Sequence, residues 1–342
     1  MKAFLITVDT EGDNLWARPD VITTRNAAFL PRFQSLCERH GLQPTWLVNH
    51  EMASCPDFVR FGREVLRRQA GEIGMHLHAW NSPPLRPLTD HDHHHQPFLT
   101  EYPTEVMEEK IAHMTALLRD RFETDIISHR AGRWALDSRY AHLLVKQGYR
   151  IDCSVSPGVS WRQTTSAPGG CGGPDYRGFP SRPYWMDLDH IDRPGSSELL
   201  ELPVSVWPSR LYRLMPAAYE IPGLRRLAWR HRPPLQWLYP DGRNRHAMVE
   251  FVQRSLPPDQ PFIELVIHSS ELMPGGSPQG PDEAHIEALY ANLEALFQAT
   301  AGRFTGMTLA AFRQHWQERS RPVQVAAASA RRPLINTCPP AV

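Results

Sequence analysis

The run "GEIGMHLHAW" (71–80) places His76 and His78 one residue apart inside an apolar stretch. In an extended chain residues i and i+2 point to the same face, so both imidazoles would share one side of a strand. The same spacing recurs at Asp9 and Glu11 in "ITVDTEGD", with Asp13 two residues further on. Two imidazoles and a carboxylate are a common ligand set for catalytic Zn²⁺ and related divalent ions, leaving a position for water and substrate. The competing reading packs one histidine in the core with its nitrogens bonded to backbone and turns the other toward a helix. Arg130, Asp152 and His268 are further titratable residues that close apolar runs.

The elements that must position these residues alternate along the chain. Apolar, β-branched or aromatic runs at 3–9, 44–49, 72–78, 125–130, 149–155, 199–206 and 261–268 read as strands, with a last one near 304. Stretches 25–40, 57–69, 104–121, 136–147, 244–255 and 281–300, and a terminal one reaching 318, carry helical spacing. Repeated βα units imply parallel strands with right-handed crossovers and burial on both faces. Their number predicts an α/β barrel, in which chemistry gathers at the C-terminal ends of the strands, where Asp9, His76, Arg130, Asp152 and His268 all fall. A Gly-rich phosphate turn is missing after the first strand, where "DTEGDN" is acidic, so nucleotide binding there is not expected.

Composition narrows the class. The chain of 342 residues is 41% hydrophobic, and its 37 basic side chains equal its 37 acidic ones, so net charge gives no sign of a nucleic-acid partner. Five scattered cysteines without a CxxC pair suit a reducing compartment. The N-terminal apolar run is too short for a signal peptide and no run of 18 apolar residues follows, so a cytoplasmic location is expected.

The motifs "TVDTEGD", "EIGMHLHAWNSPP", "HRAGRW", "GYRIDCSVSPG" and "ELVIHSSEL", spread over residues 7–272, resemble the polysaccharide deacetylase (NodB-homology, carbohydrate esterase family 4) superfamily, and within it the WalW- and WbmS-like subgroup of surface-polysaccharide (O-antigen type) clusters. The resemblance implies a distorted (β/α)7 barrel and metal-dependent removal of an N-acetyl or similar acyl group from a sugar unit. It makes Asp9 the base, Glu11, His76 and His78 the metal ligands with Asp13 as a possible substitute, and Arg130 the partner of Asp9. His268 becomes the acid and Asp152 its orienting carboxylate, while Trp80, Asn81 and Trp134 stand within the motifs as substrate contacts. One divalent ion is implied, zinc first, with manganese, cobalt or nickel as alternatives. Two spacings depart from the family: the acids read DxE rather than two adjacent aspartates, and Trp80 stands where a second histidine four residues after His76 would be. Hydrolysis of a small amide, as in allantoinase-like relatives, and a catalytically lapsed glycan-binding barrel are the alternative functions.

One barrel domain is expected over 1–318, with an insertion at about 159–245 and a disordered tail over 319–342. "DHDHHHQ" (90–96) reads as a solvated loop or an adventitious metal tract. The aromatics Trp161, Tyr184 and Trp185 of the insertion would stack on sugars or form a satellite core. The Arg-rich stretch 205–245 suits a membrane surface, a lipid-linked acceptor or solvated helices, and would place the protein at the inner membrane surface.

Overall fold

The first strand, β1 (Ala3–Thr10), is wholly buried because its two faces serve two different layers. Phe4, Ile6 and Val8 pack outward with Phe33, Trp46 and Phe297, whereas Ala3 and Leu5 join Leu47, Ile151, Leu200 and Phe262 in a second, interior cluster. The structure is a computed structural model describing residues 2–164, 166–209, 214–215, 235–253 and 260–320.

Further strands are β2 (Thr45–Val48), β3 (Glu72–Leu77), β4 (Ser128–Ala131), β5 (Ile151–Asp152), β6 (Tyr184–Trp185), β7 (Leu200–Glu201), β8 (Val206–Pro208), β9 (Leu235–Trp237), β10 (Phe262–His268) and β11 (Thr305–Met307). Their order in the main sheet is β10-β1-β2-β3-β4-β5-β7-β6, with β11 also on β1. All neighbours are parallel except β6 and β7. This is the curled, parallel-dominated sheet of a distorted (β/α) barrel. Among the described residues no ladder joins β7 to β10. That seam is crossed by the Glu264 N–H to Ser205 Oγ at 2.9 Å and the Val266 N–H to Leu238 O at 3.2 Å.

Several elements differ from the sequence expectation. The strand expected over 199–206 is split: Leu200–Glu201 joins the sheet, Pro203 has no N–H for a ladder, and Val206–Pro208 pairs instead with β9 in a separate antiparallel ribbon. The ladder expected over 149–155 contains only Ile151 and Asp152. The helix expected over 25–40 begins as a 3-10 turn, Arg25–Phe29, and becomes α-helical at Leu30–Arg39, where Pro31 fits the first turn.

Helices Pro56–Arg67, Thr104–Phe122, Ser138–Lys146 and Glu283–Thr300 cover the outer face. The last helix, Leu309–Ser320, packs at the opposite end of the interior from His76 and Asp9. Its first turn donates the Leu309 N–H to Thr45 Oγ1 at 3.1 Å and the Ala310 N–H to Glu72 Oε2 at 2.9 Å, and Phe312 meets Phe262 at 5.2 Å. That helix reaches residue 320, two residues into the expected tail, and 321–342 lie outside the described residues. So do Arg210, Arg213, Arg225, Arg226, Arg230 and Arg232 of the Arg-rich stretch, leaving Arg243 and Arg245. Among the described residues no helix is long and apolar enough to cross a membrane.

Candidate active site

Strand register brings the titratable residues to one level. Asp9 lies opposite His268 across β1 and β10, and His76 opposite Arg130 across β3 and β4. Side-chain alternation then selects those that face inward.

Glu11, His76 and His78 each place a ligand atom within 4.8 Å of the others, and all three are buried. His78 Nε2 lies 2.9 Å and His76 Nε2 3.7 Å from Glu11 Oε2. His76 Nδ1 donates to the Arg130 carbonyl at 3.0 Å, which leaves its Nε2 lone pair facing Glu11. Burial opposes ionisation of Glu11, yet the neighbouring imidazoles of His76 and His78, with the charge of His268, hold its carboxyl far below the ordinary range. The main chain at Glu11 is fixed as well. Its N–H donates to Ser269 Oγ at 3.0 Å, and its carbonyl accepts from Ser269 Oγ at 3.0 Å and Asn26 Nδ2 at 2.7 Å.

Behind the triad, Arg130 is fully buried. It donates to Asp9 Oδ1 at 2.7 Å, Glu264 Oε1 at 2.5 Å and the Cys153 carbonyl at 3.1 Å. Burial would raise the Asp9 pKa, but Arg130, then His76 and His268, outweigh it and keep the group below its ordinary value. Burial, helped by the charge of Asp9, pushes Glu264 up, although Arg130 and Thr7 pull it down. The carboxylate forms of Asp9 and Glu11 are thus favoured in the interior, and Arg130, the one buried arginine among the described residues, is shared with Glu264. A buried donor set of two imidazoles and a carboxylate with surplus negative charge fits a divalent cation.

His268 presents Nε2 to Asp9 Oδ2 at 3.8 Å, and Trp16 lies edge-on to the imidazole at 4.9 Å. Its partner is not Asp152. The Asp152 side chain points to the outer face, where it bonds His129 Nδ1 at 2.6 Å beneath Tyr140, while its neighbours Ile151 and Cys153 face the interior. Asp152 therefore does not orient His268. The carboxylate beside that imidazole is Glu271, 3.3 Å from Nδ1.

Asp13 lies outside the triad as well. Its oxygens accept from Thr23 Oγ1 at 2.7 Å, the Asn26 N–H at 2.9 Å, and the main-chain N–H and Nε of Arg25 at 3.1 and 3.0 Å, which makes it the organiser of the loop after β1. Asn81 donates to Glu51 Oε2 at 2.9 Å, and Glu51 Oε1 accepts from the Gly12 N–H at 3.0 Å and from Asn49 Nδ2 at 2.6 Å. Asn81 thus belongs to a clasp between the loops after β1 and β3. Trp80 stands 5.6 Å from the His78 ring, half-buried, with Nε1 unpartnered. Trp134 covers the Arg130 guanidinium at 4.9 Å and clusters with Trp161 and Trp237 at 6.4 and 5.7 Å. Trp134 and Trp237 pack on a satellite core of Val204, Val206 and Val266, and Trp161 meets that core through these two rings. His91 to His95 form a turn and a single helical turn, and among the described residues Glu11, His76 and His78 are the one grouping fit for a metal.

Glu264, Glu271 and Glu51 were missed in the sequence. Glu264 had a readable signal, a glutamate inside an apolar strand four residues before His268 and so on the same face.

No protein-family model matches the chain, and no curated protein does. Solved structures match it. One from Parabacteroides distasonis, provisionally described as a glycoside hydrolase/deacetylase, gives a TM-score of 0.56 at 11% identity over 93% of this chain and 72% of its own. A provisionally described polysaccharide deacetylase from Mycobacterium smegmatis gives 0.48 at 13% identity over 99% and 96%. Another, described as involved in O-antigen biosynthesis in Bordetella bronchiseptica, gives 0.39 at 12% identity over 85% and 89%. The likeness to the Parabacteroides distasonis structure shows the fold alone, the distorted (β/α) barrel that the motif resemblance implied.

Proposed function

We propose that the protein is a metal-dependent hydrolase that removes the N-acetyl or a similar acyl group from a sugar unit used in surface-polysaccharide synthesis. The observation that carries this reading is the convergence of Glu11, His76 and His78 with the Asp9–Arg130 pair and His268 at one end of a barrel interior. Glu11, His76 and His78 would hold the ion, zinc being the best match to two imidazoles and a carboxylate. When bound, the ion supplies Lewis acidity toward the acyl oxygen and a lowered pKa for water. Asp9, fixed and kept ionised by Arg130, accepts the proton of the attacking water. The imidazolium of His268 gives its Nε2 proton to the nitrogen as the C–N bond breaks. One water is consumed, a carboxylic acid and an amine leave, and the 3.8 Å gap between Asp9 and His268 lets the proton return for the next turnover. The Arg-rich stretch would bind a lipid-linked or membrane-surface acceptor.

Metal analysis with acetate release from N-acetylated saccharides tests the reading. The expected result is one ion per chain in wild type, its loss in His76→Ala, and in Asp9→Asn a fall in activity of roughly 100-fold or more with the ion retained. A wild-type chain that takes up no divalent metal after reconstitution would overturn the proposal.

A further inference from the structure

His268 ends β10, and the next four residues, Ser269–Leu272, make a single 3-10 turn. Residues three apart eclipse in such a turn, so the side chain of Glu271 reaches back over the start of the turn. Its Oε2 accepts the main-chain N–H of His268 at 2.8 Å and lies 3.3 Å from His268 Nδ1. Its Oε1 accepts the hydroxyl of Tyr239, which follows β9. Glu271 is buried, while His268 remains partly open on its Nε2 side toward Asp9.

From this geometry we infer that Glu271 is a positioning residue for His268, fixing the Nδ1–H tautomer and the ring orientation, and that Tyr239 ties this pair to the segment inserted between β7 and β10. The inference rests on the reading of His268 as the proton donor. A hydrogen bond at Nδ1 leaves Nε2 as the nitrogen that exchanges protons with the reacting centre. In the transfer the Nε2 proton goes to the leaving nitrogen, the Nδ1 proton stays, and the neutral ring keeps its bond to Glu271. Asp152, on the outer face, is replaced in this role by a residue of the same loop as the histidine.

A merely structural role for Glu271 would be to cap its own turn through the His268 N–H, and a glutamine fills that role equally. The variants Glu271→Gln, Glu271→Ala and Tyr239→Phe separate the two in the metal-loaded full chain. Glu271→Gln is expected to keep the wild-type Tm and KM while kcat falls about 10-fold or more, with a smaller fall in Tyr239→Phe. Independently of activity, the ¹⁵N shifts of the His268 ring, assigned by their loss in His268→Asn, report the tautomer. At about pH 9, where Glu271 is ionised even with burial pushing it up to about 8, wild type should show Nδ1–H and Glu271→Ala should shift toward Nε2–H. Wild-type kcat in Glu271→Gln, or an unchanged tautomer in Glu271→Ala, overturns the inference. A tautomer that shifts in a protein without hydrolase activity would overturn the proposed reaction and leave the positioning role standing.

Discussion

At the scale of single residues, the site depends on a glycine as much as on its ligands. A Cβ at Gly132 would stand 2.7 Å from His78 Nδ1 and closer still to the Leu77 carbonyl, so β3 and the turn after β4 meet through bare backbone. Gly132→Ala is expected to displace the His78 ring and to weaken metal binding by about 10-fold or more, as loss of ligand support commonly does. Competition titration with a metal chelator measures this, and an unchanged dissociation constant would show that the loop gives way freely. The grouping of side chains was legible where type and parity coincided. Asp9, Glu11, His76 and His78 lie two apart on strand ends, so the pairing of faces could be read without knowing the fold. Asp152 could not be placed, because both faces of a parallel strand are apolar and "RIDCSV" does not say which of Asp152 and Cys153 looks inward. Glu271 stayed hidden because its role arises from a tight turn rather than from strand period.

At the scale of elements, the loop after β3 is tethered to a helix by one buried amine. Lys110 of helix Thr104–Phe122 donates to the carbonyls of Ser82 at 2.6 Å and Pro84 at 2.7 Å. Burial pushes its pKa from 10.5 down to about 8, and the charge of Arg86 adds to the fall against Asp92 and Glu109. Between those two values the unfolded chain holds more protons than the folded one, so folding stability rises with pH. Wild-type stability relative to Lys110→Met should therefore increase as pH goes from about 7 to about 10, followed by urea unfolding. A flat difference would mean that Lys110 titrates as an exposed lysine. No local pattern marks this tether, because Lys110 lies among helical charges that read as solvated. The helices themselves were readable from spacing, and the strands less so: their ends depend on where a neighbour stops pairing, as the two-residue β5 and β7 show.

For the whole molecule, the barrel interior is a stack with different chemistry at its two ends. Hydrophobic side chains and the helix Leu309–Ser320 fill one end, and the charged network of Asp9, Arg130 and Glu264 lies toward the other. Phe312 is buried against Phe262 in the apolar layer, and Phe312→Ala is expected to cost about 3–5 kcal/mol. Chemical denaturation would read this, and a cost below about 1 kcal/mol would show that the helix merely covers the barrel rather than completing its core. The repeated βα order made the barrel class readable, but not the open seam between β7 and β10 or the diversion of residues 206–208 into a ribbon. Those depend on long-range partners, Ser205 with Glu264 and Leu238 with Val266, that no local pattern encodes.

The placement of β1 also governs when the site can exist during synthesis. This strand, which leads directly into both acids, pairs with β2, β10 and β11, so part of its edge waits for residues 262–268 and 305–307. Arg130 likewise receives its second carboxylate only from Glu264. A nascent chain that has emerged as far as β5 carries Asp9, Glu11, His76, His78 and Arg130, but the strand bearing His268 is still unmade. Non-local pairing of this kind slows folding, because the ends of a long loop must meet before any contact is gained. The end of the barrel that gathers Asp9, Arg130 and His268 can therefore close only after β10 has been made.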